Sequence, residues 1–180
     1  MTRLTLVFDT ETTGIPLHPA AKDSVQPRII EWGGVLVDSE SGEEVEALEL
    51  LINPGVKLPP KITSITGITD DDLVGAATFA EAAPRLRPLF QRADALLAHN
   101  LPFDYTMMQL DLARAGVLAA WPWPQRLICT VQEHAEEWGR RPKLTELYKW
   151  YFGEPLAQTH RALDDVRALA RIALESGVMK

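Results

Sequence analysis

The chain has 180 residues, 46% of them hydrophobic and 24% charged, with a formal net charge of −7 and one cysteine, Cys129. That length lets a single domain bury about two-thirds of its unfolded surface without disulfide staples. No apolar stretch approaches the roughly 18 residues that span a bilayer, and the start MTRLTLVFD lacks the apolar core of a secretory signal. The expected location is therefore the cytoplasm, with no membrane partner. The negative balance argues against coating long nucleic acid through a basic surface. It leaves open gripping a short phosphodiester through bound dications, which invert the local sign.

In chain order, the alternation in Leu4-Thr5-Leu6-Val7-Phe8 predicts a strand that Gly14 and Pro16 stop. A Pro-rich polar loop leads to a second apolar run from Arg28 to Val37. Asp38 to Gly42 reads as a turn, and Val45 to Ile52 alternates again. These three runs predict an antiparallel meander. Beyond Asn53-Pro54-Gly55 the period becomes helical. Thr69 to Asp72 and Thr78 to Glu81 both carry capping-box signatures, so the acidic triplet Asp70, Asp71 and Asp72 reads as a helix start rather than a metal site. Ala95 to Ala98 reads as a short buried strand, followed by a helix from about Phe103 to Ala115. Arg126 to Cys129 reads as another short apolar run. Helices are expected around Val131 to Trp138, Leu144 to Phe152 and Ala162 to Glu175. A meander followed by strands alternating with helices implies an α/β fold on a mixed sheet. No repeat or linker interrupts it, so the chain reads as one domain over residues 1–180.

The chemistry-bearing residues are acidic. Residues i and i+2 of a strand share a face, so Asp9 and Glu11 present adjacent carboxylates at the end of the first strand. Such like charges repel unless the strand end meets water or a cation lies between them. Mg²⁺ or Mn²⁺ suits these hard oxygen ligands. Asp104 falls in the first turn of the helix after His99-Asn100. If that strand neighbours the first, both ends open on the same crevice, the usual ligand site of α/β sheets. The last element is Thr159-His160-Arg161-Ala162-Leu163-Asp164-Asp165. On one continuous helix, His160 and Asp165 sit about 140° apart and cannot share a face. With His160 just before the helix they can. Arg161 with Asp165, and Asp164 with Arg167, also read as surface ion pairs. Spacing by itself does not choose between Asp164 and Asp165.

FDTETTG, HNLPFD and HRALDD, in that order, resemble the three motifs of the DEDDh 3′–5′ exonucleases of the ribonuclease H-like superfamily. Among these, the closest likeness is to the proofreading epsilon subunits of bacterial DNA polymerase III. The resemblance runs from about Leu4 to Leu174 and includes the ITGIT segment from Ile65 to Thr69. It implies a ribonuclease H-like fold, and Asp9, Glu11, Asp104 and Asp165 as ligands of two divalent metals, Mg²⁺ or Mn²⁺, with Asp9 bridging. It selects Asp165 over Asp164 and makes His160 the general base. It assigns Thr12 and Ile15 to the terminal nucleotide, and Asn100 and Phe103 to the pocket. The implied reaction is hydrolysis of terminal phosphodiesters of single-stranded DNA from the 3′ end, releasing nucleoside 5′-monophosphates, in proofreading or repair. A DNA polymerase is the implied protein partner.

The same motifs serve 3′–5′ exoribonucleases acting on RNA ends or short oligoribonucleotides, which differ in their handling of the 2′-OH. A haloacid-dehalogenase-type phosphatase also opens with strand and acid-x-acid-x-Thr, but its later acidic motif is missing and His160 would go unexplained. A non-catalytic binding module fits poorly with a complete ligand set. His99 reads as structural, and His18 and His134 as surface residues. Trp121, Trp123, Trp138 and Trp150 read as core packing ahead of base stacking. Arg140, Arg141 and Lys143 read equally as a solvated loop or a contact to substrate backbone.

Overall fold

The computed structural model describes residues 3–157 and 161–180. Its centre is a mixed sheet with the order β4-β3-β2-β1-β5-β6. Strands β1 (Leu4–Thr12), β2 (Ile29–Asp38) and β3 (Glu44–Asn53) form the expected antiparallel meander. Strands β5 (Ala95–Ala98) and β6 (Arg126–Cys129) extend it in parallel from β1. The two-residue β4 (Ala77–Thr78) pairs in parallel with β3. No sequence signal marked so short a strand.

The helices follow the capping chemistry. Helix α1 covers Pro60–Thr66. The acidic triplet starts α2 (Asp70–Leu73), where the Thr69 amide donates to Asp72 at 2.8 Å and Asp70 accepts from the Leu58 amide at 2.9 Å. Thr78 and Glu81 cap α3 (Phe79–Arg92) in the same reciprocal way. Helix α4 (Leu101–Arg114) begins two residues earlier than the sequence pattern indicates, because Asn100 enters it from a left-handed backbone at φ 67°. Helices α5 (Thr130–Trp138), α6 (Leu144–Phe152) and α7 (Ala162–Ser176) complete the chain.

Strand alternation divides the core into two layers. Leu6, Phe8, Trp32, Leu36 and Leu96 face α3 and α4. Val7, Val35, Val37, Leu97 and Ile128 face α6 and α7. Asp9 and Glu11 continue the Val7 row, so their side chains emerge on the α7 side. Gly33 pairs with Asp9 across the sheet. A Cβ at Gly33 would lie only 2.6–2.8 Å from backbone and Cβ atoms of Ala162 and Leu163. The missing side chain is thus what lets the first turn of α7 settle against the strand beside Asp9.

The aromatic residues mostly serve packing. Trp121 is buried, and Trp123 packs on Phe90 and Tyr105. Trp138 meets Trp150, which remains 62% exposed. His134 is not a surface residue as the sequence suggested. It is buried on α5, hydrogen-bonded to the Thr130 carbonyl at 2.7 Å and to the Tyr151 hydroxyl at 2.8 Å. Its polar neighbours come from a fold contact between α5 and α6, which spacing in sequence does not reveal. His18 is exposed, its ring nitrogen accepting from the Ala20 amide at 3.2 Å.

Candidate active site

Three acidic side chains meet at the carboxyl end of β1. Oxygen atoms of Asp9, Glu11 and Asp165 all lie within 4.8 Å of one another, a spacing at which a cation can be shared. Asp9 and Glu11 are half-buried and Asp165 is buried. Asp164, the alternative to Asp165, is exposed on the outer side of α7. The choice follows from where the first turn of α7 lands on β2, not from local sequence.

Asp104 arrives from the other layer. It is 2% exposed, and one carboxylate oxygen accepts from the Thr10 amide at 3.1 Å and the Thr10 hydroxyl at 2.7 Å. Thr10 points to the α4 side of β1 while Asp9 and Glu11 point to the α7 side. This explains why Asp104 approaches Asp9 yet stands outside the three-carboxylate group. The expected juxtaposition of β5 with β1 is what delivers it, since the two strands are parallel neighbours.

The electrostatics are those of an acidic cleft in which burial and like charges outweigh the nearby Arg161. Burial, then the charges of Asp165 and Glu31, push the Asp9 carboxyl up to about 7. Burial, then Asp9, Glu31 and Asp165, push Glu11 up to about 8, with Arg161 opposing. Burial and the Asp9 charge also raise Asp104, against the two Thr10 hydrogen bonds. Groups so arranged favour either a proton or a cation among them. The hard, all-oxygen donor set fits Mg²⁺ or Mn²⁺ better than a soft metal.

A further carboxylate, Glu31, went unnoticed in the sequence. It sits on β2 directly opposite Glu11 and is fully buried. Its oxygens accept from Arg161 Nε at 2.8 Å and from the Ala162 amide at 2.9 Å. The signal was available, since a Glu interrupts the apolar run Ile29-Ile30-Glu31-Trp32. Its partner, however, is 131 residues away.

The remaining predicted residues differ in their surroundings. Thr12 is buried and donates to the Gly14 carbonyl at 2.7 Å. Ile15 is 78% exposed and borders a groove of about 280 Å³ with Thr13, Leu17 and Val56. Phe103 is half-buried and packs on the α3 and α4 layer. Asn100 accepts from Arg141. His160 lies outside the described residues. His99 is hydrogen-bonded to Thr130 at 3.0 Å, and burial pushes its imidazole down to about 4, the expected structural role. No helix among the described residues is long and apolar enough to cross a membrane.

Comparison with known proteins gives the family of the chain. The exonuclease family model matches residues 6–173. The chain is 31% identical over 167 residues to the PolC-type DNA polymerase III of Clostridium perfringens, covering 93% of this chain but only 11% of that protein. It is 30% identical over 163 residues to the DNA polymerase III subunit epsilon of Treponema pallidum, covering 89% of this chain and 70% of that one. It shares the fold of E. coli Exonuclease I, solved with a dA16 oligonucleotide. The TM-score is 0.76 at 21% identity, over 98% of this chain and 41% of that one. With the family model spanning nearly the whole sequence, the chain belongs to the exonuclease family.

Proposed function

We propose that this chain is a metal-dependent 3′–5′ exonuclease that hydrolyses the terminal phosphodiester of single-stranded DNA, releasing nucleoside 5′-monophosphates, in proofreading or repair. The observation that carries the reading is the convergence of Asp9, Glu11 and Asp165 oxygens within 4.8 Å. Two divalent ions, Mg²⁺ or Mn²⁺, held by Asp9, Glu11, Asp104 and Asp165, would supply charge stabilisation at the phosphoryl oxygens and lower the pKa of a bound water. Asp9 would be the ligand common to both layers, since Asp165 approaches it on one side of the sheet and Asp104 on the other.

The remaining chemistry belongs to the chain. Thr10 holds one oxygen of Asp104, which fixes that carboxylate's orientation toward the cleft. Glu31 holds the start of α7 and so the approach of Asp165. Imidazole has an unperturbed pKa of ~6.5, and His160 is assigned to take the proton of the attacking water at its ring nitrogen. The exposed Ile15 offers an apolar face against which a terminal base can rest, with Thr12 keeping the turn beneath it. Asn100 and Phe103 are assigned to the pocket that receives the terminal nucleotide. The relatives named as polymerase components make a DNA polymerase the proposed protein partner.

The test uses single-stranded DNA and RNA of one sequence, labelled at the 5′ end, with free or blocked 3′ ends. The expected result is a ladder shortened from a free 3′ end of DNA, dependent on Mg²⁺ or Mn²⁺ and abolished by chelation. Faster shortening of RNA would transfer the activity to RNA ends. Degradation of 3′-blocked DNA from its 5′ end would overturn the direction.

A further inference from the structure

We propose that Arg141 and Lys143, on the loop joining α5 to α6, form the binding site for the strand's phosphodiester backbone on the 5′ side of its terminal nucleotide. The inference rests on the exonuclease reading above and extends it to a surface outside the acidic cleft.

The loop is braced on its flanking helices and tied at one point to the start of α4. Arg140 makes a two-pronged pair with Glu146, at 2.8 and 2.7 Å, and lies over the Trp138 ring at 5.3 Å. The Lys143 amide donates to the same Glu146 carboxylate at 2.8 Å. Arg141 reaches across to donate to the side-chain carbonyl of Asn100. Asn100 immediately precedes α4, whose first turn carries Asp104. Arg141 therefore touches the very segment that delivers an acidic residue to the cleft. His99, Asn100, Arg141, Lys143 and Thr145 border a groove of about 520 Å³ at this place.

The three cations of the loop are not equivalent. The charge of Arg140 is matched by Glu146. Among the described residues, neither the Arg141 guanidinium nor the Lys143 ammonium makes an ion pair within 4 Å, and both side chains are exposed. Arg141 spends one donor on a neutral amide, leaving other N–H groups of its fork for an oxyanion. Nearby His99 adds no competing charge near neutral pH, because burial keeps it unprotonated. In a chain of net charge −7, whose cleft gathers Asp9, Glu11, Glu31, Asp104 and Asp165, a polyanionic strand is repelled over most of the surface. Two exposed cations without a close ion pair among the described residues, on a loop tied to the start of α4, give it a place to rest. Their contacts carry no base information, so this site supports affinity and register rather than sequence choice.

The test compares the wild-type chain with the double variant Arg141→Gln/Lys143→Gln, with Arg141→Lys as the charge-keeping control and Lys149→Ala as a remote one. Substrates are a 12-nucleotide single strand and the p-nitrophenyl ester of thymidine 5′-monophosphate, which has no further phosphate beyond the scissile one. The double variant should raise KM for the strand about tenfold with little change in kcat. Its effect on the ester should be at least about tenfold smaller. Losing two contacts should flatten the slope of log Kd against log salt by about 1.4. Arg141→Lys should recover part of the loss. Equal KM values and salt slopes in wild type and double variant would overturn the site. So would equal losses on strand and ester. If the wild type hydrolyses neither substrate, the exonuclease reading fails. Fluorescence anisotropy of the labelled strand, which needs no turnover, then decides on the two cations by the same Kd and salt comparison.

Discussion

Glu31 and Ala162 are joined by a hydrogen bond of 2.9 Å that crosses from β2 to the first residue of α7. The first amides of a helix lack intrahelical acceptors, and the residue before α7 supplies no side-chain cap. A carboxylate on another element supplies it instead, and also binds Arg161. The same negative charge lies opposite Glu11 and raises both Glu11 and Asp9. The contact thus stabilises the helix start while it burdens the acidic cleft.

Replacing Glu31 with Gln should separate these two effects. A hydrogen bond to a charged group is worth about 1.5 to 3 kcal/mol. The variant should lose about that much stability in urea unfolding, and NMR titration should show Glu11 and Asp9 moving down toward ordinary carboxylate values. Unchanged stability would remove Glu31 as the cap of α7.

Gly33→Ala should act on the same junction by crowding rather than by lost bonding. The new methyl would sit 2.6–2.8 Å from Ala162 and Leu163. Overpacking of this kind costs about 1 to 3 kcal/mol. A lower thermal midpoint together with weaker Mn²⁺ binding is expected, since α7 carries Asp165. Wild-type values for both would show that α7 can move away without consequence.

The metal-free chain should lose stability as pH rises from about 4 to 8. Folded Asp9 and Glu11 hold protons up to about 7 and about 8, whereas an unfolded carboxyl releases them near 4. The folded state therefore binds more protons across that window, and the contribution declines as pH climbs through it. Glu146, held down to about 2 chiefly by Arg140, works in the opposite sense and contributes above its ordinary value, losing that contribution as pH falls toward 2. Thermal melts with chelator should place the optimum on the acid side of neutrality, and added Mg²⁺ should raise the midpoint more at pH 8 than at pH 5. A midpoint flat from pH 5 to 8 would contradict the raised carboxyls.

Asp165→Ala should reduce exonuclease activity by more than about a hundredfold, beyond the 10–100-fold typical of a group that only orients a metal ligand. Asp164→Ala should retain most activity. Comparable losses in the two variants would break the assignment of the buried aspartate.

His160→Ala should slow turnover by about 10²–10⁴ while Mn²⁺ affinity, measured by calorimetry, stays near wild type. A collapse of metal affinity would make the imidazole a ligand rather than a base.

Much of this architecture was legible in the sequence, for a local reason. Period-two alternation in Leu4 to Phe8 and in Val45 to Ile52 sets strand faces, and reciprocal Thr and acid pairs set the starts of α2 and α3. The adjacency of Asp9 and Glu11 follows from that same period, whatever the strand packs against. Tertiary structure decided what depends on which layer a side chain enters. It put Asp165 in the cleft and Asp164 outside, brought Asp104 in behind Thr10, buried His134, and turned Glu31 into the cap of a helix far along the chain. Local pattern carries the geometry of one element. The docking of α7 on β2 through the missing side chain of Gly33 is a contact between two elements, and no neighbour in sequence records it.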